Sequence, residues 1–279
     1  MHHSDSAIVT TVDALAKLLD VCGELRASEQ VDERAVTGCS FDSRAVSAGD
    51  VFFCKGAAFK PAFLRMALDA GAVAFVCEES LVESLEPLAQ ESGAAMLVVD
   101  SVRTAMALLP PEVYDRPDRD VKIVGITGTK GKTTAAFMLQ SIIKAAGESC
   151  GMIGSVSTDD GIECYESTNT TPEAPEVWRH IANCRTSGRQ SMVMEVSSQA
   201  LKYQRVENLP FDVACFLNIG RDHISPIEHP TFEDYFESKL RIFDQAKTAV
   251  VNLGTEEVDR VLEAASTAER LVTVGVEHP

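Results

Sequence analysis

The sequence predicts an α/β protein of two domains, the second built on a mainly parallel sheet, and three observations predict it. The chain has 279 residues, enough for two ordinary domains that each bury a core. Short apolar runs of strand length alternate with amphipathic stretches of helix length, the pattern of βαβ units with helices on both faces of a sheet. A charged, proline-bearing stretch, "LLPPEVYDRPDRDVK" over 108–122, interrupts that alternation. Proline fixes φ and lacks an N–H, so an extended linker is expected there, with domains over 1–112 and 120–279.

In the first domain "DVFFC" and "AVAFVC" read as strands, and "PAFLRMALDAG" and "LVESLEPLAQESG" as helices. In the second, "VKIVGIT", "SMVMEV", "DVACFLN", "TAVVNL" and "RLVTVGV" read as strands. Between them, "KTTAAFMLQSIIKAAG", "PEVWRHIANCRTSG", "FEDYFESKLRIFDQA" and "EEVDRVLEAAS" read as helices. Ligands of such sheets collect at the carboxyl ends of the strands, and each motif below falls just after a strand.

Composition narrows the function classes. Hydrophobic residues make up 45% and charged residues 24%, the balance of a globular chain. A formal charge of -17 argues against a nucleic-acid partner, because phosphate contacts need a basic face. No apolar run is long enough to span a bilayer and the N-terminus lacks a signal-peptide core, so membrane insertion is not expected. The eight cysteines form no Cys-x-x-Cys pair and read as reduced thiols, which points to the cytoplasm.

"GITGTKGKTT", 125–134, joins a strand to a helix. The usual phosphate loop has a glycine five residues before its Gly-Lys pair, and Ile126 stands there. The context still suits phosphate, since glycines let backbone N–H groups wrap its oxygens and the helix N-terminus adds partial positive charge. Lys132 would reach the terminal phosphates and the Thr133 hydroxyl would ligate Mg²⁺. Glu195, inside an apolar strand, is costly unless it is ion-paired to a core lysine or arginine or holds metal. Its place at a strand end in the sheet of the phosphate loop favours Mg²⁺.

"FLNIGRDHISPIEHPTFEDYFESKLRIF", 216–243, supplies Asn218, Asp222, His223, His229 and Lys239. Singly, His223 is an ordinary loop histidine and Lys239 an exposed helix lysine. Together with Thr-Gly-Thr-x-Gly-Lys-Thr-Thr and Glu195, they resemble the Mur ligases in order and approximate spacing. Those are the ATP-dependent amide-forming enzymes of peptidoglycan assembly. The resemblance implies a Mur-ligase-type N-terminal α/β domain followed by a P-loop-like ATPase domain. It implies ATP and Mg²⁺ as cofactors, with Gly128, Thr129, Lys130, Gly131, Lys132, Thr133, Thr134 and Asn218 at the nucleotide. Thr133, Glu195, His223 and a carbamylated Lys239 are the implied metal ligands, and Lys132, His223 and Lys239 the catalytic set.

"ESTNTTPEAPEVWRHI", 166–181, has a plain reading with Thr171 as N-cap and Pro172 opening a helix. Its Asn-Thr-Thr-Pro also resembles the segment of the MurE type that touches the muramoyl-peptide, which implies Thr170 and Thr171 as substrate contacts. "EVSS" followed by "RV" resembles the same type and implies Ser197 and Arg205. In the first domain, Asp-Ser-Arg, then Gly-Asp and a strand, then Gly-Ala resemble the MurE and MurF N-terminal domain, which implies Ser43 and Arg44 at the uridine diphosphate end. Gln199 stands where the family usually has histidine. The "DHISPIEH" loop has two extra residues between its histidines, and the paired aspartates usual after Asn252 are missing.

The resemblance implies an ATP-dependent ligase that adds an amino acid to UDP-MurNAc-L-Ala-D-Glu through an acyl phosphate. Its partners are that UDP-MurNAc-peptide and an amino acid. The family's third, C-terminal domain is not in this sequence, so a fragment, a split gene product completed by a separate ligase chain, or a shortened relative is expected. The alternatives are a UDP-MurNAc-peptide and ATP binding module inactive without that partner, or another Mur-like amide ligase such as a folylpolyglutamate synthetase.

Overall fold

The structure, a computed structural model, describes residues 10–222, 224–225 and 228–276. It divides into two compact units. One takes in the chain up to Arg116 together with Ala174–Arg179, and the other Pro117–Glu173 and the chain from His180 onward.

The first unit runs α1 (Val12–Val21), β1 (Leu25–Glu29), β2 (Gly38–Ser40), β3 (Asp50–Phe53), α2 (Pro61–Asp69), β4 (Ala74–Glu78), α3 (Val82–Ser92), β5 (Ala95–Val99) and α4 (Val102–Val113). Its sheet has the order β1-β5-β4-β3-β2, with β1 antiparallel and the rest parallel. Strands buried on both faces explain why "VFF" in β3 and "AMLVV" in β5 are unbroken apolar runs. Leu15, Leu19, Met106 and Leu109 of α1 and α4 pack on one face around Val51 and Leu97. Leu64, Leu85 and Ala89 of α2 and α3 pack on the other around Phe52 and Phe75.

The proline stretch differs from its expectation. Pro110 and Pro111 lie inside α4 with their rings buried, so core packing offsets the hydrogen bonds that proline cannot make. The extended reading fails for that half of 108–122, and the chain passes between units at Arg116–Pro117.

The second unit follows with β6 (Lys122–Thr127), α5 (Lys132–Ala145), β7 (Cys150–Ile153), β8 (Ser157–Asp159), β9 (Cys164–Glu166) and α6 (Ala174–Thr186). It continues with β10 (Ser191–Glu195), α7 (Ser198–Lys202), β11 (Phe211–Phe216), α8 (Phe232–Leu240), β12 (Ala246–Asn252), α9 (Val258–Ala265) and β13 (Arg270–Val274). The sheet order is β13-β12-β11-β6-β10-β7-β8-β9, parallel from β13 to β7 and closed by the antiparallel β8–β9 hairpin. Central β6 has β10 on one side and β11 on the other, so loops after these three strands converge at the topological switch point.

The β8–β9 hairpin is fastened by a buried pair. Asp160 accepts from His180 Nδ1 at 2.7 Å, Asn183 Nδ2 at 2.8 Å and the N–H groups of Ile162 and Glu163 at 2.9 and 2.7 Å. His180 Nε2 lies 3.0 Å from the Tyr165 hydroxyl. Asp160, Glu163 and His180 cluster closely enough to suggest a metal, but the Asp160 carboxylate is already satisfied by protein donors. Burial works to raise its pKa, yet the bonds from His180, the backbone and Asn183 hold it well below the usual carboxylate range. A depressed carboxyl contributes stability above its unfolded pKa and loses it as pH falls through the folded one. Asp160→Asn is therefore expected to cost about 3 kcal/mol at neutral pH, the scale for breaking a buried pair. Urea unfolding should show that deficit shrinking as the solution is acidified through the carboxylate range, and a pH-independent deficit would contradict the assignment.

Candidate active site

Gly131 caps α5 in the left-handed region, φ +86°, where a side chain would be strained. A Cβ at Gly128 would approach Leu217 Cβ to 3.0 Å, so the loop lies tight against the end of β11. Asn218 pins it from that strand, accepting from Lys130 N at 3.0 Å and donating Nδ2 to Lys130 O at 3.1 Å. Thr129 N donates to Asn218 O at 3.0 Å, and the Thr129 hydroxyl takes the Gly220 N–H at 3.0 Å and the Tyr235 hydroxyl at 3.1 Å. Lys130 reaches out to Asp222 at 2.6 Å, and Thr134 is exposed on the first turn of α5.

Lys132 Nζ turns back onto Gly128 O at 2.9 Å and Thr129 O at 3.4 Å. Burial pulls its pKa below the ordinary lysine value, partly opposed by the field of Glu195. Glu195, 1% exposed at the end of β10, accepts from Thr133 Oγ1 at 3.0 Å, Ser155 N at 2.8 Å and Ser155 Oγ at 3.2 Å. Among the described residues no lysine, arginine or histidine ion-pairs with it, so the structural alternative for this glutamate is not realised. Ser155 is a residue that sequence reasoning missed. The parallel register Ile153↔Met194 brings the turn after β7 beside the end of β10. Gly154 leaves the room, since a Cβ there would lie 2.6 Å from Glu195 Oε1.

Lys239 is 1% exposed on α8, not on the surface as an isolated helix lysine would be. Its amine donates to Gly128 O at 3.0 Å, touches Thr127 Oγ1 at 3.5 Å and sits 4.9 Å from the centre of the Tyr235 ring. Among the described residues no carboxylate lies within ion-pair distance of it. Burial first, and Lys132 second, push its pKa well below the lysine value. His223 lies outside the described residues.

Thr171 is not an N-cap. The helix α6 begins at Ala174, and the Thr171 hydroxyl instead donates to Glu195 O at 2.9 Å and accepts from Ser197 N at 3.0 Å. Strand end and loop compete for this hydroxyl, and β10 wins. Thr170 Oγ1 lies 2.9 Å from Ser155 Oγ, within hydrogen-bond distance. Ser197 caps α7 through Ala200 N at 3.1 Å. Arg205 Nη1 donates to Thr171 O at 3.0 Å, while its Nε stands 3.0 Å from Glu173 Oε1 in ion-pair contact but outside hydrogen-bond geometry. A cleft of about 260 Å³ brings Lys132 and Lys239 together with Thr170, Thr171, Ser197 and Arg205. In the first unit a separate cavity of about 360 Å³ is walled by Ser43, Arg44 and a group of phenylalanines including Phe41 and Phe59. Lys55 lies 4.8 Å from the Phe41 ring centre, and Arg44 is paired with Asp42 at 2.6 Å.

A family model, the Mur ligase middle domain, matches residues 126–279, more than half of the chain. The chain belongs to the Mur ligase family. Among curated relatives, the UDP-N-acetylmuramoyl-L-alanyl-D-glutamate--L-lysine ligase of Streptococcus suis is 36% identical over 93% of this Mur ligase chain and 53% of its own. The enzyme of that name from Enterococcus faecalis is 42% identical over 82% of this chain and 44% of its own. The chain thus spans about half the length of the curated relatives it matches. A solved UDP-N-acetylmuramoyl-L-alanyl-D-glutamate--2,6-diaminopimelate ligase has TM-score 0.75 at 20% identity, covering 97% of this chain and 53% of that one. The MurF ligase of Thermotoga maritima in complex with ADP has TM-score 0.59 at 23% identity, covering 87% and 51%. At these identities the two structures establish the fold. The eight cysteines are all free thiols, and among the described residues no helix is long and apolar enough to cross a membrane.

Proposed function

We propose that this chain carries the nucleotide and UDP-sugar-peptide sites of a MurE-type ligase. Such a ligase joins an amino acid to UDP-MurNAc-L-Ala-D-Glu in the cytoplasm, at the expense of ATP. The observation that carries the reading is the single cleft where Lys132 of the phosphate loop and buried Lys239 face Thr170, Thr171, Ser197 and Arg205. Residues 1–112 would hold the uridine end through the cavity beside Ser43 and Arg44, and residues 120–279 the nucleotide.

The residues fit Mg²⁺. A buried carboxylate with only neutral partners needs a cation, and the Thr133 hydroxyl 3.0 Å from it is a hard oxygen donor of the kind Mg²⁺ takes. Bound there, with Glu195, Thr133, His223 and carbamylated Lys239 as ligands, Mg²⁺ would supply charge neutralisation for the transferring phosphoryl group. The chain's own residues do the positioning. Loop N–H groups from Gly128 to Thr134 face the phosphates, and Lys132 leaves its carbonyl contacts to meet the terminal one. Asn218 holds the loop shape. Arg205 and the hydroxyls of Thr170 and Ser197 orient the D-Glu side carboxylate, which becomes the acyl phosphate, for attack by the amine. Orientation and electrostatics carry such a reaction without a covalent enzyme intermediate.

The test is calorimetric titration with UDP-MurNAc-L-Ala-D-Glu. Binding is expected, and Arg205→Ala should weaken it by about ten- to a hundredfold, the scale of a lost charge-assisted hydrogen bond. Failure of the wild-type chain to bind this substrate while ATP still binds would reduce the reading to a Mur-like ATPase core with an unknown acceptor.

A further inference from the structure

A hydrogen-bonded series that none of the assignments above uses ends in the same cleft. Ser198, 5% exposed, lines it and opens α7. Its Oγ lies 2.9 Å from His229 Nε2, and His229 Nδ1 lies 2.6 Å from Asp234 Oδ2. Lys202 Nζ meets the same Asp234 oxygen at 2.6 Å and the Glu228 carbonyl at 3.2 Å. His229 is completely buried and packs edge-on against Tyr235, ring centres 5.2 Å apart. The hydroxyl of Tyr235 reaches Thr129 of the phosphate loop. The imidazole is therefore held in one orientation relative to the nucleotide site.

The partners also orient the proton at Nδ1. The bond from Lys202 foremost, and that from His229, keep Asp234 below the usual carboxylate range, so it is an acceptor. It takes the Nδ1 proton, and in the neutral imidazole Nε2 then has its lone pair for the Ser198 O–H. Among the described residues Ser198 Oγ makes no other hydrogen bond, so its own lone pairs remain available. A buried histidine satisfied at both nitrogens is usually structural. This one differs because the series ends at a hydroxyl on the wall of the cleft that holds Lys132 and Lys239.

We propose that Ser198 and His229 relay the proton released when the incoming amine attacks the activated carboxyl group. The inference rests on the ligase reading above. As the amine nitrogen bonds to the acyl carbon it becomes cationic. Its proton passes to Ser198 Oγ while the Ser198 proton passes to His229 Nε2. The C–O bond to phosphate then breaks, phosphate leaves with the electron pair, and the amide remains. The resulting imidazolium is paired with Asp234. Ser198 touches the reacting amine, and His229 and Asp234 act through it.

The test compares two nucleophiles on the full chain with ATP and UDP-MurNAc-L-Ala-D-Glu. One is an amino acid, L-lysine or meso-2,6-diaminopimelate. The other is hydroxylamine, whose weakly basic nitrogen gives up its proton to water without help. Both draw on the same acyl phosphate, so the ratio of amide to hydroxamate reports the proton step alone. Positioned proton transfer contributes about 10²–10⁴-fold, so His229→Gln and Ser198→Ala should each lower the ratio by about a hundredfold. Ser198→Thr, which keeps the hydroxyl, should restore most of it. Equal loss of both products, or an unchanged ratio, overturns the relay and leaves the series structural. Hydroxamate without amide from the wild-type chain also overturns it, while the ligase reading survives for the activation step. Neither product from a wild-type chain that binds ATP and UDP-MurNAc-L-Ala-D-Glu overturns the relay in this chain, and failure to bind them fails the ligase reading as well.

Discussion

Replacing Lys239 with alanine is expected to lower amide formation by about 10²–10³-fold or more while binding of the uridine end is kept. Lys239 is buried in the second unit, where its amine meets the Gly128 carbonyl at 3.0 Å and Thr127 Oγ1 at 3.5 Å. Burial and neighbouring Lys132 both disfavour its ammonium form. Only a neutral amine adds CO₂, so this environment favours the form that a carbamate requires. A carbamate there would give Lys239 a carboxylate head suited to a metal ion. Alanine removes the stem's packing, but it also removes a costly buried amine. These effects oppose each other, so the net stability change should stay within about 1–2 kcal/mol and loss of activity will not be unfolding. Steady-state amide formation, calorimetry with the UDP substrate and a thermal melt separate the cases. A short carboxylate added to the variant should recover part of the rate. Substantial turnover in the variant without added carboxylate would remove the carbamyl-lysine role.

Strands buried on both faces announce themselves by their apolar runs; those within "KIVGIT" and "SMVME" could be read directly. The edge elements β1 and β9, with mostly exposed residues, carry no such pattern and were not legible. The phosphate loop was legible through its glycines and its strand-to-helix setting. Glu195 stood out as a charge in an apolar run, and its lack of a counter-ion required coordinates. Ser155 and Tyr235 were hidden for another reason. Each acts through a partner distant in sequence, Ser155 on Glu195 by the β7–β10 register and Tyr235 on Thr129 across the sheet end. "NTTPEAPE" misled locally, since any Thr-Pro before a helix looks like a cap, and the long-range bond from Thr171 to Glu195 O decides instead. Lys239 looked like a surface lysine because helix periodicity alone does not show which face the phosphate loop covers.

The other large effect is expected at Lys132. Substitution by alanine should weaken ATP binding by about 10²–10³-fold, the scale of one removed charged donor in a preorganised site, and leave the uridine end unaffected. The loop's shape has supports besides the Lys132 contacts to the Gly128 and Thr129 carbonyls. Gly131 sets the turn, Asn218 clasps Lys130 on both sides, and Thr129 is tied to Gly220. Alanine removes the charge and two bonds to loop carbonyls, while Gly131, Asn218 and Thr129 keep the cradle of N–H groups in place. Its present contacts, the carbonyls of Gly128 and Thr129, are uncharged acceptors in a partly buried place that disfavours the ammonium. Moving to a phosphate exchanges neutral acceptors for an anionic one, which is why the terminal phosphates should feel it most. ADP, lacking the last phosphate, should then lose less affinity than ATP in the same variant. Arginine should not restore binding, because its planar fork does not fit a space shaped for a compact ammonium. Calorimetric titration of wild type and Lys132→Ala with ATP and ADP decides the matter. Equal affinities in the two proteins would make "GTKG" an ordinary turn between strand and helix.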